Sequence, residues 1–418
     1  MKLATISGGE TRSQTSVFIF WQMVWIALIV CGLISATACL IFGLNQTNMN
    51  DVFVFGLWIS FDMSIIALGA GAFFTGFLTY IAGKRELRSI LNLAVTIGFI
   101  CYSGAVAVLG IEIGQPIRSW FLMWHANPHS MLTEVAFCIT CYLIVLCIEM
   151  LPTVLENRHL NQIPEFHFFA HHLHEIMFVF AATGAFLSFF HQGSLGGMFG
   201  VLQAKPFVGR PMFSIWPTTF FLFILSAMAS GPFLTLIILG IIEKFGRKRL
   251  VTLEAKQILA KIAARILAAY VLLKIADTII WAIKLAPAAG FHFADFYRSA
   301  PYGWWTLVVE IGLLGILPAV LLNIDRFRAH YPLLMLGGTM VCAGVVFNRF
   351  VTGVVALSIP VLPFESFHFY LPSWQEVGVV LGFFGYAGLV LSLAYRYLPI
   401  FPDERKLNTD RIHAGVNN

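Results

Sequence analysis

The residues of this sequence best suited to chemistry are the ionisable side chains that stand inside long apolar runs. Asp62 closes the stretch Gly56-Leu57-Trp58-Ile59-Ser60-Phe61-Asp62, while Glu134, Tyr142 and Glu149 share a second run. Tyr270, Lys274 and Asp277 lie on one face of a third, and Glu310 and Arg349 occupy two more. A charge at bilayer depth is costly, and it is kept where it has a partner or where it marks a route for protons or a ligand. Glu134, Tyr142 and Glu149 fall on one helical face at offsets of 8 and 7. At ~1.5 Å per residue the two acids are about 22 Å apart, which brackets two-thirds of a membrane.

Histidines add a second pattern. His167, His171 and His174 recur at i, i+4 and i+7, with His172 and Glu175 beside them, and the same run leads to His191-Gln192-Gly193-Ser194-Leu195-Gly196. Protonatable groups therefore stand at both ends of one helix. A loop rich in aromatic and polar residues, Gln115 to His129, precedes Glu134 and carries Trp120, Trp124, His125 and His129. Such aromatics suit an interfacial belt, and equally a lid over an apolar ligand.

A lipid-soluble quinone matches this set of groups. Its reduction takes two electrons and two protons, so a chain without redox centres must supply hydrogen-bond donors, a proton source and access for an electron donor. Asp62, Trp124, His125, His129, Glu134, His191 and Gln192 are the candidates for the quinone end, toward the outer face. Tyr142, Glu149, His171, His174, Glu175, Lys274, Asp277, Glu310 and Arg349 are the candidates for a proton pathway. Plainer readings compete. Lys274 and Asp277 suit an intrahelical pair that lowers the cost of burial. Arg349 could neutralise Asp62 or Glu310, and the inner histidines stand close enough to a helix start to be cytoplasmic surface residues.

The elements that position these groups follow from hydropathy. The chain has 418 residues, 59% hydrophobic and 15% aromatic, with 11% charged. No water-soluble core consumes that much apolar side chain. A bilayer core of about 30 Å needs roughly 20 apolar residues in a helix. Ten such runs are expected, over 17–43, 52–82, 90–110, 130–153, 167–190, 213–243, 258–285, 304–323, 332–357 and 374–397. They are continuous rather than alternating, which favours helices over a barrel. The expected fold is thus an all-α integral membrane protein in one polytopic domain, with 398–418 as a cytoplasmic tail. Ala36-Thr37-Ala38 resembles a signal cleavage site, but the apolar run from Val17 to Phe42 is too long for a signal peptide, so the first span is expected to be retained.

Orientation follows from the basic residues. Eighteen of the 26 Lys and Arg fall in segments on the side of the N-terminus and four in the opposite loops, Arg118, Lys205, Arg210 and Arg298. Both termini are therefore expected in the cytoplasm. This asymmetry accounts for the net charge of +5, and no basic stripe with interleaved aromatics points to nucleic acid. All seven cysteines lie in apolar spans, and the Cys138/Cys141 pair has no second pair in a polar loop. Neither an iron-sulfur cluster nor a metal site is expected of this chain.

The stretches Gly56 to Asp62, Asn127 to Glu134 with Glu149 and Pro152, His191 to Gly196 and Leu371-Pro372-Ser373-Trp374-Gln375-Glu376 resemble the NrfD/PsrC-like membrane subunits of respiratory oxidoreductases, in their ten-helix branch. The resemblance covers nearly the whole chain. It implies two four-helix bundles, here spans two to five (52–190) and six to nine (213–357), with spans one and ten outside them. It also implies a quinone site near the outer face, with menaquinone as substrate in one branch, and no haem bound by this chain. Electrons would come from a ferredoxin-like iron-sulfur subunit, and in that branch from a wider complex with a multihaem cytochrome c and a molybdopterin-family-like subunit. The expected location is the bacterial inner membrane.

Two other classes compete. A secondary transporter uses midplane charges and interrupted helices, and Gly231-Pro232 in the sixth span is the feature that suggests such a break. A cytochrome b needs paired histidines at matched depth on neighbouring helices, which His171 and His191, on one helix, do not provide. Within the resembled family, a quinone-reactive anchor of a hydrogenase or another transmembrane redox complex is the alternative assignment.

Overall fold

Apolar runs longer than a bilayer needs become helices because a helix satisfies every backbone polar group within the segment. The computed structural model describes residues 8–127, 129–157, 160, 163–200, 218–288, 292, 294, 303–358 and 368–401. Among them are ten membrane-length helices and no strand. They are α1 (Ser16–Phe42), α2 (Leu57–Ile81), α3 (Arg85–Glu112), α4 (Met131–Leu155), α5 (Pro164–Phe199), α6 (Thr218–Gly246), α7 (Leu253–Ala288), α8 (Gly303–Asn323), α9 (Tyr331–Ser358) and α10 (Trp374–Tyr397). The largest departure from the hydropathy reading is α5, which continues well past 190 to Phe199. His191 to Gly196 is therefore helical and inside the protein, whereas hydropathy ended the span just before it.

The helices α2 to α5 pack on one another in sequence, and α5 closes the group against α2. Helices α6 to α9 form a second group in which α6 touches both α7 and α9, and α8 touches both as well. The groups meet where α6 lies against α2 and α5 and where α9 lies against α2. Outside both, α1 runs along α10, and α10 rests on α3 and α2.

Small residues allow the closest crossings. A methyl on Gly231 would stand 2.1 Å from the backbone nitrogen of Gly71, so α6 and α2 touch backbone to backbone there. Close approach of this kind is how membrane helices gain packing energy without a hydrophobic driving force. It also explains Gly231-Pro232 without a break, because α6 runs uninterrupted through Pro232. Gly32 and Gly382 play the same part between α1 and α10, where a methyl on Gly32 would lie 2.6 Å from the Gly382 Cα.

Three helices contain π-helical turns: Phe77–Ile81 at the end of α2, Trp281–Leu285 in α7 and Val308–Ile316 in α8. Wider turns of this kind re-aim side chains and are frequent at functional sites. Glu310 lies within the longest of them.

Candidate functional site

The interior of the α2–α5 group holds a cluster of polar side chains contributed by all four helices. Tyr102 of α3 is its hub. Its ring meets that of Tyr142 of α4 edge-on with centroids 4.5 Å apart, and its hydroxyl lies 2.9 Å from Ser188 Oγ of α5. One turn along α5, the His191 ring centroid is 6.0 Å from that of Tyr102. Asp62 of α2 is within electrostatic range of Tyr102 and of Glu112 at the end of α3. Tyr102, Tyr142, Ser188, His191 and Gln192 are fully buried, and Asp62 is 2% exposed.

Most of these groups lack a well-formed hydrogen bond. Asp62 Oδ1, both ring nitrogens of His191, both amide atoms of Gln192, the Tyr142 hydroxyl, Ser60 Oγ and both carboxylate oxygens of Glu112 are buried without a well-formed hydrogen bond, although Tyr102 lies near Gln192 and the Phe73 and Val135 backbones lie near Tyr142 and His191. Orphaned buried polar atoms cost about 1–3 kcal/mol each, and a protein keeps them together where a ligand or water completes them. The fold holds this arrangement tightly. Gly196, one turn beyond Gln192, packs so closely on α6 that a methyl there would stand 2.3 Å from the Thr219 carbonyl oxygen.

A second buried polar set lies in the α6–α9 group and is built differently. Lys274 Nζ of α7 is 3.1 Å from Glu310 Oε1 of α8. Asn348 Nδ2 of α9 donates to the same oxygen at 2.7 Å, and Arg349 Nη1 donates to Asn348 Oδ1 at 2.7 Å. Arg349 Nη2 reaches Ser226 Oγ of α6 at 2.8 Å, and the guanidinium carbon sits 3.5 Å from the centroid of the Phe223 ring. Arg349 thus acts on Glu310 through Asn348, and it forms no ion pair with Asp62 among the described residues. Lys274 thus reaches across to α8, and Asp277, one turn along α7 from it, is buried as well.

A third set ties the loops at the α2 and α10 starts. Glu376 is fully buried and accepts from Leu57 N at 3.2 Å, Asn48 N at 3.2 Å, Ser373 N at 2.8 Å and the Tyr370 hydroxyl. The Tyr370 hydroxyl in turn accepts from Leu57 N at 2.7 Å. Burial first, then the adjacent carboxylate, pushes the Tyr370 phenol above its ordinary range, so it remains a donor at physiological pH. Ser373 and Glu376 also form a reciprocal cap on α10.

The other expected residues lie apart from these sets. Trp124, His125 and His129 are exposed, Trp124 by 78%, and His125 stacks on Phe121 with centroids 5.2 Å apart. Glu134, in the first turn of α4, and Glu149, toward its other end, are partly buried. His171 and Glu175 are exposed, 3.9 Å from each other. His174 is drawn instead to Glu156 at the end of α4, with Nε2 2.8 Å from Oε1. The structure therefore brings Asp62, Tyr142 and His191 into one interior cluster with Gln192 close by on α5, and leaves the aromatic loop and most inner histidines at the surface.

Sequence reasoning missed Tyr102, Glu112, Ser188, Asn348, Ser226 and the role of Glu376. Tyr102 and Ser188 are ordinary residues in apolar helices until a neighbour turns them into a pair, and Glu112 looks like a helix-end surface acid. Asn348 carried a usable signal, being an amide next to an intramembrane arginine. A haem held by two histidines would need a second buried ring opposite His191; among the residues whose side chains are described, His191 is the buried histidine and the others are partly or fully exposed.

The family described as polysulphide reductase, NrfD, matches residues 45–357, which spans α2 to α9 and excludes α1 and α10. The menaquinone reductase integral membrane subunit of Nitratidesulfovibrio vulgaris is 49% identical over 401 residues, covering 96% of each chain. The probable Ni/Fe-hydrogenase 2 b-type cytochrome subunit of Escherichia coli is 24% identical, over 94% of this chain and 95% of its own. A selenate reductase subunit of Mesobacillus selenatarsenatis is also 24% identical, over 91% and 93%.

Proposed function

Because the chain belongs to the NrfD family of integral membrane subunits, we propose that it is the quinone-reactive subunit of a respiratory oxidoreductase and that menaquinone is its substrate. The observation that carries this reading is the buried cluster of Asp62, Tyr142, His191 and Gln192, in which Asp62 Oδ1 and the polar atoms of the other three lack well-formed hydrogen bonds. A quinone carbonyl accepts from the ring N–H of His191 or from the Gln192 amide, and a carboxyl at Asp62 supplies a proton. The name of the relative that is 49% identical supports menaquinone as the quinone.

In this proposal two electrons enter from a partner at the outer face, and two protons join the quinone to give the quinol. The electron donor is a ferredoxin-like iron-sulfur subunit, fed by a multihaem cytochrome c and a molybdopterin-family-like subunit of the same complex. The exposed loop with Trp124, His125 and His129 and the partly buried Glu134 form the face on which that donor docks. Protons arrive from the cytoplasm, entering at His171, His174 and Glu175 and passing Glu149 to Tyr142. Lys274, Asp277, Glu310 and Arg349 tune or extend that route from the second group of helices. Both termini are cytoplasmic and the membrane is the bacterial inner membrane. The hydrogenase and selenate reductase relatives support the same type of membrane protein serving different electron sources.

The test is donor-driven reduction of a soluble menaquinone analogue by the complex retained through mild detergent extraction. An Asp62→Asn or His191→Leu variant that assembles normally should lose turnover on the order of 10²-fold. Wild-type turnover in both would overturn the site. In proteoliposomes, a membrane potential that survives unchanged in Glu149→Gln would overturn the proton route.

A further inference from the structure

The family match ends at residue 357 and begins at residue 45, so α1 and α10 stand outside it, and the way they attach leaves a groove. Helix α1 packs along α10 and touches the rest of the protein sparsely, at α3. Between the start of α1, the far end of α10 and the end of α6 a lateral opening of about 660 Å³ remains. That volume falls in the about 300–1,000 Å³ range of ligand-binding pockets. Its walls are Trp21 and Trp25 of α1, Ile241 and Phe245 of α6, and Leu391 and Tyr395 of α10, among others.

The walls are apolar and the mouth is cationic. Trp21 and Trp25 stack with centroids 5.4 Å apart, and tryptophan near a helix start is the side chain enriched at the membrane–water boundary. Within the groove, Gln22 Nε2 donates to Ser392 Oγ at 2.9 Å, while Gln22 Oε1 is buried without a partner. Gly246 lines the groove, and the chain continues directly into Arg247, Lys248 and Arg249, all exposed. On the other rim, Arg396 lies over the Phe18 ring, 4.1 Å from its centroid. The acid on this end of α6, Glu243, does not offset them. It is paired with Lys256 and accepts the backbone N–H of Leu250 at 2.9 Å and of Val251 at 3.2 Å.

We propose that this groove is a binding site for an anionic phospholipid, with one acyl chain between the α1 tryptophans and the α6 wall and the phosphate between Arg247, Arg249 and Arg396. Apolar walls would accept any acyl chain, so charge complementarity at the mouth selects the anionic headgroup, each basic residue there contributing favourably. The lipid then fills the wedge that α1 and α10 leave against the bundle and fastens this helix pair to it. The site is independent of the quinone reading, being separated from the polar clusters by α10 and α6.

The experiment is native mass spectrometry of the detergent-exchanged complex, titrated separately with phosphatidylglycerol and phosphatidylcholine. Wild type should retain phosphatidylglycerol at least about tenfold more tightly than phosphatidylcholine. Substituting Arg247→Gln, Arg249→Gln and Arg396→Gln together should erase that preference while leaving phosphatidylcholine binding unchanged. Ile241→Trp, which fills the groove from its exposed rim without removing a charge, should lower retention of both lipids and leave quinone reduction intact. Equal retention of the two lipids by wild type, an unchanged preference in the triple variant, or displacement of phosphatidylglycerol by a menaquinone analogue would each overturn the proposal.

Discussion

In the α6–α9 group, Glu310 is met by both Lys274 and Asn348, Asn348 is met by Arg349, and Arg349 is met by Ser226 and by the face of Phe223. In the α2–α5 group, Asp62, Tyr142, His191 and Gln192 are buried as deeply, yet Asp62 Oδ1 and the polar atoms of the other three have no well-formed hydrogen bond. Composition does not separate the two regions, since each places acid and base in an apolar interior. Saturation does. A network that closes on itself behaves as scaffold, because each charge is held by the others. A set that stays open behaves as a site, because the missing bonds must come from a ligand or from water.

That contrast is broken most directly at Glu310. Glu310→Ala takes from Lys274 and Asn348 the carboxylate they share in the interior, and removal of one partner of a buried pair typically costs about 3–5 kcal/mol. The detergent-solubilised protein should show a large drop in unfolding midpoint, whereas Glu310→Gln, which keeps an acceptor for both, should show a smaller one. An unchanged midpoint for the alanine variant would mean the closed network does not hold the bundle together. The opposite pattern is expected at the open cluster. His191→Leu and Asp62→Asn should leave the midpoint unchanged or slightly raised, since no well-formed hydrogen bond holds His191 or Asp62 Oδ1, while turnover falls on the order of 10²-fold. A destabilised His191→Leu protein would place that residue with the scaffold instead.

Ten crossings were legible in the sequence because helix formation in a membrane is dictated by the length of an apolar run. The end of α5 was not. His191-Gln192-Gly193-Ser194 reads as a polar exit from the bilayer, yet the glycines let α6 approach and the polar atoms turn inward, so the helix continues to Phe199. Asp62, His191 and Gln192 were legible as a group, and Tyr142 as part of a proton route rather than of that group, because polar residues in apolar runs are expensive. Trp124, His125 and His129 were grouped with them by their place in the chain, and a loop at a helix end is free to face outward, which it does here. Lys274 shows the limit of one-helix reasoning. Its neighbour at i+3 is Asp277, but a long flexible side chain also reaches across to the π-helical turn of α8 that carries Glu310.

Glu376 provides a finer test, because its closed set of bonds lies at the loops that start α2 and α10 and so borders the open cluster. Glu376→Gln keeps the shape and weakens four accepted hydrogen bonds, an expected loss of about 1–3 kcal/mol. Since two of those donors are the backbone N–H groups of Asn48 and Leu57, the start of the helix that bears Asp62 should loosen, raising KM for the quinone analogue more than it lowers kcat. A change confined to kcat would place Glu376 in the proton chemistry rather than in the scaffold.

The smallest effects belong to the exposed inner histidines, and they sharpen where the proposed proton route begins. His171 is 71% exposed and faces an equally open Glu175, so His171→Ala should change stability by no more than about 0.5 kcal/mol, as exposed substitutions do. His174 is held by Glu156 at 2.8 Å and is about one-third exposed, so it is the better anchored of the two. If entry runs through the His174–Glu156 pair, His174→Ala slows formation of the membrane potential in proteoliposomes while His171→Ala does so weakly. Equal slowing by both variants would make the entry a diffuse surface of histidines. No slowing by either would move the entry to Glu149 itself.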